Sequence, residues 1–149
     1  ISTSDHTYQD IRDGVREVCR QFPDAYHREV DAARGYPEAF VDALTRAGWM
    51  AAMIPQEYGG SGLGLLDACV ILEEINRQGG NAATCHAQMY TMASVLQHGS
   101  AAQKQAILPR IATGDLRLQA FGVPAPDAGL PAPSESPVNS NRDATAATL

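Results

Sequence analysis

The sequence predicts an all-α fold, a helical bundle followed by a short strand and an irregular tail. Three observations carry this reading. Apolar residues recur at helical spacing through the first part of the 149-residue chain, Gly and Pro punctuate those runs, and the texture changes abruptly after Phe121. Hydrophobic residues make up 44% and charged residues 19%, near globular averages, which argues against disorder throughout. The length allows one ordinary domain.

Tyr8, Ile11, Val15, Val18 and Phe22 fall on one face of a first helix, which Pro23 ends. A second helix starts at Pro37, carries Phe40, Val41 and Leu44 inward and is closed by Gly48. A third runs over Leu65–Arg77, apolar almost all round until Glu73, and stops at Gly79-Gly80. The stretch Gln78–Gln103 contains no Asp, Glu, Lys or Arg. Asn81, His86, Gln88, Gln97 and His98 interrupt it too often for a membrane span. It reads instead as a helix at about 81–97, buried on most sides in the bundle, with His86 satisfied in the core. Ser100-Ala-Ala-Gln103 is a capping box that opens a helix to about Leu108. Pro109 then starts a further short turn ending at Gly114, and Leu116–Val123 alternates enough to begin a strand.

No aromatic residue follows Phe121, and five of the nine prolines (124, 126, 131, 133 and 137) lie beyond it. Residues 131–149 bury too little apolar surface to offset their ordering entropy, so a loose tail is expected. The domains are therefore 1–115, 116–130 and 131–149, without internal repeats. Eleven basic against seventeen acidic residues give a net charge of −6, which argues against nucleic acid as partner. Cys19, Cys69 and Cys85 form no CxxC pair and read as buried free thiols in a reducing cytoplasm. His6, His27, His86 and His98 lack ligand spacing, so no metal site is expected. The start Ile1-Ser2-Thr3-Ser4 has no Met and no signal-peptide pattern, which suggests a cut chain or a fragment.

Ile54-Pro55-Gln56-Glu57-Tyr58-Gly59-Gly60-Ser61-Gly62 is a turn that brings backbone close to a neighbour. A phosphate-binding loop is not indicated, because no strand precedes it and no Lys-Ser/Thr follows. Glu73 and Glu74 point about 100° apart on a helix and cannot share a proton, and Glu74 with Gln78 faces solvent. A solvated or interhelical salt-bridge role follows for them, and Lys104 reads as a surface charge.

The turn resembles the P-x-E-Y-G-G-x-G signature in the N-terminal helical domain of acyl-CoA dehydrogenases. Trp49 and Ile54, Glu73-Glu74, His86, Leu96 and Gly99, Gln103-Lys104, Leu108-Pro109, Thr113-Gly114 and Ala120-Phe121 keep that family's order over about residues 8–129. The resemblance implies a flavoprotein of fatty acid metabolism in which a β middle domain and a C-terminal four-helix domain follow. In that family FAD lies between those two domains, and a carboxylate base takes the α-proton of the acyl-CoA thioester while flavin N5 accepts the β-hydride.

The family's flavin-contacting segment corresponds to residues 121–131, which nominates Phe121, Val123 and Gly129 for the cofactor. Pro126 and Ala128 also fit. Pro124 stands where the family has a flavin-bonding Thr, Ala125 replaces its Glu, and Leu130 and Pro131 replace its Ser and Asp. His86, Tyr90 and Ala93 or Ser94 share one face of the helix that lines the acyl pocket in the family, and His86, Tyr90 and Ser94 are nominated for substrate. Met89 and Met92 read as core. The departures at 124, 125, 130 and 131 imply that the chain alone should bind FAD poorly, and no residue is nominated as the catalytic base, so it should show no dehydrogenation. The parent enzyme would be a homo-oligomer. Alternatives are a flavin monooxygenase or nitroalkane-oxidising relative of the same fold, or a non-catalytic helical dimerisation module.

Overall fold

The computed structural model describes residues 3–118, and among them the chain forms six α-helices joined by turns. Helix α1 (Thr3–Cys19) packs most extensively against α4 (Leu65–Arg77), with α3 (Glu38–Arg46) beside it. Ile11, Val15 and Val18 of α1 are buried on the predicted stripe, and Cys19 is buried beside them. They meet Phe40 and Leu44 of α3 and Ala68, Ile71 and Ile75 of α4 in one apolar cluster. The second cluster joins α5 (Ala83–His98) to α6 (Ala101–Thr113) through Met92, Val95, Leu108 and Ile111, with Ile54 from the intervening loop and Leu118 beyond α6. Helix α5 spans both clusters, because Cys85 and Met89 belong to the first.

The capping box at the start of α6 is formed as expected. Gln103 N donates to Ser100 Oγ at 3.2 Å, and Ser100 N donates to Gln103 Oε1 at 2.8 Å. The expected break at Pro109 is absent. Pro109 lies inside a helix that runs on to Gly114, where φ is +88°. A proline removes one backbone donor and its ring presses on the preceding turn, yet buried Leu108 and Ile111 hold the helix through it. Helix α2 (Asp24–Ala32) was not predicted. It buries no residue completely and is tied down by edge-on contacts among Phe22, Tyr26, His27 and Phe40.

Residues 116–118 are irregular, and the remainder of the strand expected at Leu116–Val123 lies outside the described residues, as does the tail. Cys19 and Cys85 are buried, but Cys69 is exposed on α4, which corrects the expectation of three buried thiols. Leu65 and Leu66 are also exposed, at 71% and 69%, so the first turn of α4 is not apolar core. Burial pushes the thiols of Cys19 and Cys85 up, to about 11 and about 12, and keeps both protonated at neutral pH. Among the described residues no helix is long and apolar enough to cross a membrane.

Candidate functional site

Helix α5 divides into two faces. Cys85, Gln88, Met89, Met92 and Val95 point into the protein and are buried. Both methionines are therefore core, as read from their spacing. His86 and Tyr90 point outward and Ser94 lies half-buried near them. His86 was expected to be satisfied in the core; instead it is exposed, because the inward stripe is already filled by Cys85, Met89 and Met92.

The structure thus brings His86, Tyr90 and Ser94 together on one surface strip. The His86 and Tyr90 rings meet edge-on with centroids 5.2 Å apart. Ser94 Oγ donates back to the Tyr90 carbonyl at 3.3 Å, a local bond that fixes its hydroxyl along the helix. No charged side chain occurs on α5, so the strip offers ring faces, a hydroxyl and small residues. Such a surface suits an apolar chain, since it strands no charge away from water when covered. One polar feature escaped sequence reasoning. The side chain of Gln88 is buried, and its Oε1 has no hydrogen-bond partner. Its place three residues after Cys85 and four before Met92 was the available signal, since that spacing puts it on the apolar stripe.

The Gly-rich loop is structural, as its chemistry suggested. Gly62 N donates to the Ile54 carbonyl at 2.8 Å, and Leu63 N donates to the Ala52 carbonyl at 2.8 Å. Residues 60–63 thereby fold back onto 51–54. Gly59 and Gly62 take positive φ of 88° and 67°.

Glu74 corrects a second expectation. Its side chain is 0% exposed, not solvent-facing, and joins α4 to α1. Arg16 Nε donates to its Oε1 at 3.1 Å, Gln78 Nε2 to the same oxygen at 2.7 Å, and Arg12 to its Oε2 at 3.3 Å. Arg12 also donates to the exposed Glu73 at 2.6 Å, so the interhelical salt-bridge reading holds for both carboxylates. Burial pushes Glu74 up, but Gln78, Arg16 and Arg12 together outweigh it and hold the carboxyl below its ordinary range. The spacing of Arg12 and Arg16 by one turn, opposite a Glu-Glu pair, was the available signal for this network.

Among the described residues no group of three or more His, Cys, Asp or Glu is placed to hold a metal ion. An open cavity of about 550 Å³ lies between α2 and the α4–α5 turn, lined in part by Asp24, His27, Arg28, Asp31, Tyr36 and Asn81. Phe121, Val123 and Gly129, nominated for the cofactor, lie outside the described residues.

Residues 5–115 match the acyl-CoA dehydrogenase N-terminal domain. A probable acyl-CoA dehydrogenase of Mycobacterium tuberculosis is 31% identical over 107 residues, which is 70% of this chain and 27% of the relative. Glutaryl-CoA dehydrogenase of Desulfococcus multivorans is 32% identical over 126 residues, covering 81% of this chain and 31% of that protein. Among solved structures, a glutaryl-CoA dehydrogenase in complex with glutaryl-CoA superimposes with a TM-score of 0.69 at 28% identity, over 87% of this chain and 33% of that one. Butyryl-CoA dehydrogenase of Megasphaera elsdenii gives 0.68 at 26% identity, over 87% and 34%. The chain belongs to the acyl-CoA dehydrogenase family and represents its N-terminal helical domain. It spans about a quarter of the length of relatives such as the mycobacterial one.

Proposed function

We propose that this domain forms one wall of the acyl-chain site of an FAD-dependent acyl-CoA dehydrogenase, whose reaction is α,β-desaturation of an acyl-CoA thioester. The observation that carries this is the uncharged outward strip of α5. His86, Tyr90 and Ser94 are the residues nominated to meet the acyl chain, with the His86–Tyr90 ring pair as its centre. The names of the relatives, which act on acyl-CoA thioesters of several kinds, support the same substrate class.

FAD, when bound in such an enzyme, accepts the hydride, but the residues of this chain do not fit it as its holder. Pro124 offers neither a hydroxyl nor a backbone N–H where the family bonds the isoalloxazine. We therefore assign this chain a share of acyl binding and no proton transfer. Exposed Leu65 and Leu66 support an oligomeric parent, and two buried free cysteines support a reducing compartment such as the cytoplasm.

The test is a calorimetric titration of the 149-residue chain with a medium-chain acyl-CoA and, separately, with free CoA. Acyl-CoA is expected to bind weakly and free CoA not at all, and Tyr90→Lys is expected to abolish the acyl-dependent heat. Equal heats for the two ligands would contradict the acyl assignment. The purified chain is also expected to carry little flavin and to show no dehydrogenation. A stoichiometric yellow preparation would overturn the cofactor part of the reading.

A further inference from the structure

The segment that follows α6 is tied to the bundle by backbone, core and ionic contacts. Leu116 N donates to the Arg110 carbonyl at 3.0 Å, and Leu118 is 6% exposed in the second core cluster. Between them, Arg117 reaches across to α3. Nη1 of its guanidinium donates to Glu38 Oε2 at 2.6 Å and Nη2 to Asp42 Oδ1, while Nε is buried without a hydrogen-bond partner. Its carbon stands 5.6 Å from the centroid of the Tyr36 ring. Glu38 and Asp42 lie one turn apart on α3, so two carboxylates of one helix face grip a single planar cation.

An isolated surface pair would contribute little. Here the Arg117 side chain is only 20% exposed, and it has two anionic partners and an aromatic face at once. Burial lowers its proton affinity, but Glu38, Tyr36 and Asp42 more than offset this and hold the guanidinium above its ordinary value.

We propose that Arg117 is a latch: by clamping to Glu38 and Asp42 it fixes the point and direction in which the chain leaves the helical bundle. It is a positioning residue and makes no contact with a reacting group.

The experiment is amide hydrogen exchange on the full chain carrying Arg117→Gln. Exchange at the Leu116 amide is expected to rise roughly tenfold or more, while the amides of Ile71 and Ile75 in α4 keep their rates. The double variant Glu38→Ala/Asp42→Ala removes only the acceptors, both exposed side chains, and is expected to give the same selective rise. This second variant decides the matter if Arg117→Gln does not fold. Unchanged exchange at Leu116, or an equal rise in α4, would overturn the latch. Flavin does not enter the readout, so failure of the cofactor assignment would leave this result standing.

Discussion

Gly60→Ala is expected to destabilise the chain by about 3 kcal/mol or more, the cost of forcing atoms into a packed site with no room to yield. A methyl group at position 60 would overlap the carbonyl oxygen and Cβ of Ile54 and lie 2.5 Å from the Ala51 carbonyl oxygen. Ile54 and Ala51 both belong to the second core cluster, so neither backbone can retreat cheaply. Gly60 N also donates to the Pro55 carbonyl at 3.2 Å, and displacing the loop would cost that bond as well. Gly64→Ala is the control. Its Cβ would meet Asp67 Oδ2 at 3.5 Å, an ordinary contact, and its φ is −85°. That change should cost about 1 kcal/mol or less. Urea midpoints of the two variants check the contrast, and similar midpoints would contradict it.

Glu74→Gln is expected to cost about 3 kcal/mol at neutral pH, because it strips the anion from a buried network and leaves Arg12 and Arg16 facing an amide. Glu73→Gln should cost about 1 kcal/mol or less, since that side chain is 59% exposed. The pH dependence gives a sharper check. Glu74 is held below its ordinary value in the folded chain. Its contribution is therefore complete above the unfolded-state pKa of about 4.3 and is lost as pH falls through the folded value. The stability difference between the parent chain and Glu74→Gln should be flat from about pH 8 to pH 5 and narrow below about pH 4. A difference that grows on acidification would show that the carboxyl is not held in its ionised form.

Where an element buries a regular stripe, the sequence announces it. Ile11, Val15 and Val18 define α1, Phe40, Val41 and Leu44 define α3, and the Ser100–Gln103 box places the start of α6. Helix α2 is short and buries no side chain completely, and the four-residue step from Tyr26 to Val30 is all the apolar period it offers. Pro109 misled because a local rule was applied where tertiary packing on both sides of it decides the outcome. Glu74 misled for a related reason. A carboxylate reads as exposed unless its partners are known, and Arg12 and Arg16 lie about sixty residues away in the chain.

The candidate site was legible in spacing but not in orientation. The fourfold step from His86 to Tyr90 to Ser94 places them on one face, whereas the lack of charge in α5 suggested burial on most sides. The structure separates these. One face is core, and the other is uncharged yet open to solvent among the described residues. An uncharged open face is what a helix presents when an apolar ligand or another domain completes its surroundings.

Residue-resolved chemical shifts during titration with butyryl-CoA decide whether the outward strip of α5 is the acyl wall. The largest changes are expected at His86, Tyr90 and Ser94, with none there when free CoA is added. Changes confined to the cavity around His27 and Tyr36, or no acyl-dependent change on α5 at saturating ligand, would contradict the assignment.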